Sequence, residues 1–135
     1  MIKHKIDVYT LIKSEIHKLR KFGIETANLD CRLLLTKSLK LNKTVHNYQN
    51  VNVTDNELKN FKNYIEQRLN GKPVSRIINK KNFWDNEFEL NDDTLDPRPD
   101  SETLIDAVLC HFKSKTQSLK ILDLGSGTGC LGLSL

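Results

Sequence analysis

The sequence has no apolar run near the roughly 20 residues that a bilayer-spanning helix requires, so its 38% hydrophobic residues must serve the packing of a protein in water. Cysteine is sparse. Cys31, Cys110 and Cys130 are odd in number, widely spaced and each set in an apolar stretch, which excludes a disulfide framework and a zinc knuckle and points to reduced thiols in the cytoplasm. The four histidines, His4, His17, His46 and His111, stand at no metal-ligand spacing, and no metal site is expected. The first residues, Met1 to Asp7, lack the apolar core of a secretory signal, so export is not expected. There are no internal repeats and no low-complexity tracts. At 28% charged residues the composition is globular rather than disordered.

What is present is unevenly distributed. Residues 1–81 hold 17 Lys and Arg against 7 Asp and Glu, a balance of +10, whereas residues 82–135 hold 4 against 10, a balance of −6. A basic module joined to an acidic one could approach a ribonucleoprotein or an acidic protein surface. Ordinary solvated helix faces account for the pattern better, because the lysines are scattered among acids without the interleaved aromatics that stack on bases. No direct nucleic-acid contact is expected.

Apolar residues recur at three- and four-residue steps from Asp7 to Phe22 (Val8, Leu11, Ile12, Ile16, Leu19, Phe22), which predicts a helix ending near Gly23. A second helix is expected from about Glu25 to Leu39 and a short, weaker one around Thr44 to Tyr48. Thr54-Asp55-Asn56-Glu57 spells a capping box, Leu58, Phe61, Tyr64, Ile65 and Leu69 supply the stripe behind it, and Gly71 with Pro73 supplies the stop. With no alternating strand pattern in view, the region up to residue 72 reads as an all-helical bundle.

The segment Val74 to Leu90 changes character. Val74, Ile77, Ile78, Phe83, Trp84, Phe88 and Leu90 favour strands and Asn79-Lys80-Lys81-Asn82 offers turn residues, so a β-hairpin linking two domains is expected. Pro97-Arg98-Pro99 forces an extended stretch, and Asp100-Ser101-Glu102 opens a helix carrying Leu104, Ile105, Val108, Leu109 and Phe112 on one face. After a loop from Lys113 to Ser118, the run Leu119-Lys120-Ile121-Leu122-Asp123-Leu124 reads as a strand.

Asp123-Leu124-Gly125-Ser126-Gly127-Thr128-Gly129 follows that strand and precedes Cys130-Leu131-Gly132-Leu133-Ser134-Leu135, which begins as a helix would. Glycines here admit positive φ and close approach of backbone amides to a ligand. Asp123 turns the reading away from phosphates: its carboxylate would repel a pyrophosphate, but suits a ligand that carries an ammonium and a sulfonium, as S-adenosylmethionine does. A dinucleotide site is the competitor, since Gly127 to Gly132 also spells G-x-G-x-x-G. The bland alternative is a glycine-rich turn without a ligand, which would weaken a strand-helix junction to no purpose.

Gly71-Lys72-Pro73-Val74-Ser75-Arg76-Ile77-Ile78, then Asn82-Phe83-Trp84, then Leu95-Asp96-Pro97-Arg98-Pro99-Asp100-Ser101-Glu102, followed by the Asp-x-Gly-x-Gly-x-Gly loop, resembles in order and spacing the release factor glutamine methyltransferases. The resemblance spans residues 71–135; the helical region before it is similar in size and pattern only. It implies α + the start of an α/β fold: a helical substrate-recognition domain over residues 1–72, a β-hairpin linker over 73–92, and over 93–135 the first strand and glycine loop of a truncated Rossmann-like methyltransferase domain. It implies methyl transfer from S-adenosylmethionine to the side-chain amide nitrogen of the glutamine in a release factor's Gly-Gly-Gln motif. Asp123, Gly125, Ser126, Gly127, Thr128 and Gly129 carry over as cofactor-binding. Pro97, Arg98 and Glu102 match a segment near the methyl-donor end, with a structural role for the Pro-Arg-Pro turn as the equal alternative. Arg76 stands where a tyrosine is frequent and Asp96 where an aliphatic residue is frequent.

The family's catalytic Asn-Pro-Pro-Tyr motif does not occur in the 135 residues, so none of them is assigned a catalytic role and the chain is expected to be inactive alone. Two readings follow: a methyltransferase whose remainder lies elsewhere, or a stand-alone helical protein-binding module with a vestigial cofactor segment.

Overall fold

The computed structural model describes residues 3–112 and 120–135; the expected loop from Lys113 to Ser118 and its neighbour Leu119 lie outside them. The chain divides into two compact units, residues 1–78 and 79–135.

In the first unit a short strand β1 (His4–Asp7) leads directly into α1 (Val8–Lys21), followed by α2 (Ala27–Ser38), strand β2 (Asn50–Val53), α3 (Asp55–Leu69) and the one-turn helix α4 (Val74–Ile78). Asp7 caps α1 by accepting from the Thr10 amide at 2.9 Å, and Gly23 at φ +77° closes it, with the Ile24 amide reaching back to the Leu19 carbonyl at 3.1 Å. The expected capping box is formed: the Thr54 amide donates to Glu57 Oε2 at 2.8 Å and the Glu57 amide to Thr54 Oγ1 at 3.3 Å. The Thr54 amide, and after it the Thr54 hydroxyl, which donates to the same Oε2 at 2.7 Å, hold the Glu57 carboxyl below its ordinary range.

The stripes read from the sequence meet in one core. Val8, Ile12 and Leu19 from α1, Ala27, Cys31, Leu34 and Leu35 from α2, and Phe61 and Ile65 from α3 are buried together. Asp30 is buried beside them, and its carboxylate accepts from Arg68 Nε at 2.7 Å, which ties α2 to the end of α3. Such a pair stabilises chiefly because losing one partner would strand the other charge.

Three expectations for this unit are corrected. The bundle is not all-helical: β1 and β2 pair antiparallel, with His4 opposite Val53 and Asp7 opposite Asn50. Val51 and Val53 alternate inward from β2, a period-two signal too short to stand out in sequence. Residues 44–48 form no helix. Instead the Asn47 and Gln49 carbonyls accept from the amides of Tyr9 and Val8, extending the β1–β2 ladder into the first turn of α1. Finally, Val74–Ile78 is helical and not half of a hairpin. Pro73 supplies the fixed φ of a helix entry and its carbonyl accepts from the Arg76 and Ile77 amides, while Ile77 is buried in the first core.

In the second unit the hairpin consists of β3 (Lys80–Phe83) and β4 (Asn86–Glu89), paired with Phe83 opposite Asn86. Its turn is therefore Trp84-Asp85, not Asn79 to Asn82. A turn of 3-10 helix (Pro99–Ser101) precedes α5 (Glu102–Phe112), and the short helix α6 (Cys130–Ser134) follows the glycine loop. Phe83, Phe88, Ile105 and Cys130 form the small core of this unit, with the two phenylalanine rings edge to face at 6.4 Å. Of the expected apolar face of α5 only Ile105 is buried; Leu104 and Leu109 are exposed.

The expected strand before the glycine loop is not formed. Residues 120–123 have no regular structure, and Ile121, Leu122 and Leu124 are 53%, 80% and 84% exposed. A strand needs neighbours for its amides and carbonyls, and none of the described residues pairs with this segment. Among the described residues no helix is long and apolar enough to cross a membrane.

Phe61→Ala is expected to cost about 3–5 kcal/mol in urea unfolding of the full chain, and Thr54→Ala about 1 kcal/mol. Because Glu57 is held below its ordinary range, its part of the box is present at neutral pH and is lost as pH falls through its lowered folded-state value. The Thr54→Ala cost should therefore shrink in acid; a cost that grew would contradict the box. Burial, followed by the Glu15 and Asp30 carboxylates, pushes the Cys31 thiol up to about 12. With Cys130 buried and Cys110 exposed, thiol titration of the native chain at neutral pH should find Cys110 reacting fast and the other two only on unfolding.

Candidate functional site

The glycine loop takes the backbone course that its sequence calls for. Gly125, Gly127 and Gly129 have φ of +75°, +56° and +75°, a region that other L-residues occupy only with strain. A Cβ on Gly125 would meet nothing within 4 Å, and one on Gly127 only the Gly125 carbonyl at 3.9 Å. The first two glycines are thus needed for conformation, and the loop presents open backbone there. Gly129 differs, since a Cβ would press on Leu133 Cδ1 at 3.3 Å.

The Gly129 amide turns back to the Ser126 carbonyl at 2.7 Å, and the Gly129 carbonyl accepts from Leu133 to start α6. The amides of Ser126, Gly127 and Thr128 have no acceptor among the described residues. Asp123, just before the loop, is tied to the helix just after it: its Oδ2 accepts from the Gly132 amide of α6 at 3.2 Å. The segment thus carries a half-exposed carboxylate just before the loop and, within the loop, three backbone donors without an acceptor among the described residues. A set of donors with one fixed anion suits a ligand that is itself mixed in charge, with carboxylate or hydroxyl groups for the amides and a cationic centre for Asp123.

Pro97, Arg98 and Glu102 fall in three different settings. Pro97 is buried and Arg98 is exposed at the entrance to the 3-10 turn. Glu102, the first residue of α5, accepts through Oε1 from the Trp84 amide at 2.9 Å. Trp84 itself has φ +52°, a position that costs a bulky residue free energy and that the hydrogen bond helps to hold. Trp84 packs against the cluster that includes Cys130 of α6, as Leu131 does. The strained turn and its anchor gave no sequence signal beyond the motif residues themselves, because neither the positive φ nor the partner 18 residues away is written in local composition. Among the described residues no three His, Cys, Asp or Glu side chains converge as for a metal ion.

The family model of the PrmC N-terminal domain matches residues 10–78. The release factor glutamine methyltransferase of Leptospira interrogans is 33% identical to this chain over 136 aligned positions, which cover 99% of the chain and 47% of that protein. That of Aliivibrio fischeri is 34% identical, covering 96% of the chain and 45% of its own length. The bifunctional methyltransferase of Rickettsia prowazekii is 35% identical over 87% of the chain and 26% of its own length. The chain therefore spans less than half the length of each of these relatives.

Trp84 is the sole tryptophan, so its fluorescence reports on this turn alone. Glu102→Ala is expected to change that emission and to cost about 1.5–3 kcal/mol in the unfolding of the second unit, the range for a hydrogen bond to a charged group. Glu102→Gln keeps an acceptor oxygen and should retain most of the native emission. Identical spectra for the wild type and Glu102→Ala would show that the bond does not hold the turn.

Proposed function

Because the chain belongs to the release factor glutamine methyltransferase family, whose PrmC N-terminal domain it carries over residues 10–78, we propose that it is the amino-terminal part of an S-adenosylmethionine-dependent enzyme that methylates the side-chain amide of a release-factor glutamine. The observation that carries this reading to the site is the open glycine loop with the Asp123 carboxylate at its edge. The same carboxylate counts against the dinucleotide alternative.

The residues present fit part of the cofactor. Gly125 and Gly127 keep side chains off the loop, so the amides of Ser126, Gly127 and Thr128 are available to its polar groups. Asp123 keeps Oδ1 free of partners among the described residues and offers negative charge to a cationic centre. Gly129 allows the sharp entry into α6. When bound, the cofactor supplies a methyl group on a positively charged sulfur. For Pro97 and Glu102 the structural role is favoured, one being buried and the other tied to Trp84, whereas the Arg98 side chain is exposed and open to a ligand.

These residues make one wall of a pocket. Ligand sites usually bury most of the ligand, and holding a weakly nucleophilic amide in line with a methyl group is worth about 7–11 kcal/mol. Residues 1–135 contain no Asn-Pro-Pro-Tyr to do so, and the proposal assigns that task to sequence beyond them. The first unit, with a closed core of its own, takes the part of substrate recognition. A stand-alone helical binding module is the second reading, favoured by the contrast between that core and the exposed Ile121, Leu122 and Leu124.

Calorimetry with S-adenosylmethionine and a radiolabelled methyl-transfer assay with purified release factor test both readings. The chain alone should bind the cofactor weakly or not at all and transfer no methyl group. Adding a polypeptide that supplies the remaining sheet and an Asn-Pro-Pro-Tyr segment should restore turnover, and Asp123→Asn in that mixture should weaken cofactor binding about tenfold, about 1.4 kcal/mol. Turnover by the chain alone would overturn the assignment of the catalytic groups, and release-factor binding without turnover in the mixture would favour the binding module.

A further inference from the structure

In the first unit, a cleft of about 230 Å³ opens between α1 and the start of α2, lined by Tyr9, Lys13, Ile16, His17, Arg20 and Asn28. Ile16 is its buried apolar floor, whereas Lys13, His17 and Arg20 are exposed and Tyr9 is 50% exposed. No carboxylate lines it. Among the described residues the side chains of Lys13, His17 and Arg20 make no hydrogen bond or ion pair, while Glu15, the one acid within α1, is buried and pairs with Lys18 at 2.9 Å. The Lys13 and Arg20 cations of the cleft are thus not neutralised from their own helix.

Their spacing narrows the occupant. Lys13, His17 and Arg20 stand at i, i+4 and i+7, so they form a single stripe about 10 Å long on α1, with Tyr9 one turn ahead of it. A helix packed nearly parallel or antiparallel to α1 repeats at the same interval, and carboxylates at i, i+4 and i+7 on it would meet the stripe in register. Tyr and Arg around an apolar floor is also the composition of residues that carry binding energy at protein interfaces. A nucleic-acid strand fits less well, because it needs a groove that follows several successive phosphates with bases stacked beside them, and this cleft is short with Asn28 in its wall.

We propose that this cleft docks an acidic helical segment of the protein substrate. The inference rests on the reading that the chain serves a release-factor methyltransferase, and it adds the surface and the charge of the partner's segment. Electrostatic complementarity of this kind acts mainly on the association rate and is screened by salt.

The test measures binding of purified release factor to the full 135-residue chain at low and at high salt. It compares the wild type, Lys13→Glu/Arg20→Glu, and a control with the same change of charge on exposed α3 positions, Lys59→Glu/Lys62→Glu, with melting curves to confirm that each is folded. The cleft variant should bind at least tenfold more weakly at low salt, mostly through a slower association, with the difference shrinking at high salt and the α3 control near wild type. Equal affinities for the wild type and the cleft variant, or equal losses in both variants, would overturn the cleft while leaving the methyltransferase reading in place. Absence of wild-type binding would count against both. A single-stranded RNA oligonucleotide serves as the remaining probe: if it binds the wild type and loses affinity in the cleft variant while release-factor binding does not change, the occupant is nucleic acid and the proposal fails.

Discussion

Every backbone amide and carbonyl taken from water must find a partner, and the two halves of this chain differ in how far they can supply one. In the first unit the supply is complete enough to close a core. Residues 4–7 and 50–53 satisfy each other as β1 and β2, the ladder continues into α1 through the Asn47 and Gln49 carbonyls, and the ends of α1 and α3 are capped by Asp7 and Thr54. Each of these bonds brings an apolar stripe into position against the next, so the hydrophobic gain follows from the satisfied backbone.

The second unit meets the same constraint with fewer means. Its hairpin pairs internally and covers Ile105 with Phe83 and Phe88, but among the described residues no strand pairs with 120–124. They stay irregular and expose leucine and isoleucine that would otherwise lie in a sheet. The glycine loop nevertheless keeps its positive φ angles and its bond to Asp123, because those depend on residues within ten positions of one another. Local chemistry of the proposed cofactor wall thus survives without the sheet around it.

This division bears on function. A helical unit with its own core is suited to meeting another protein, and its cationic cleft on α1 is independent of the glycine loop. The proposed methyl transfer asks more: a pocket closed from several strands and groups that fix an amide. The relatives, all more than twice the length of this chain, have room for both.

Periodicity and capping alone determined α1, α2 and α3 to within about two residues at each end, because those signals are local and strong: the apolar stripe from Val8 to Leu19, Gly23, and the box from Thr54 to Glu57. Likewise the glycines between Asp123 and Cys130 made the backbone course of the loop legible, since glycine takes the positive φ it needs without strain. Tertiary structure decided the rest. Val74 to Ile78 favour strands by composition, yet they form a helix because Pro73 starts one and Ile77 fills a core built from distant residues. The hairpin turn fell at Trp84-Asp85, where a positive φ is held by Glu102, 18 residues away. The run of apolar residues before Asp123 is that of a strand, but a strand is a relation between segments, and its hydrogen bonds cannot be specified by one of them.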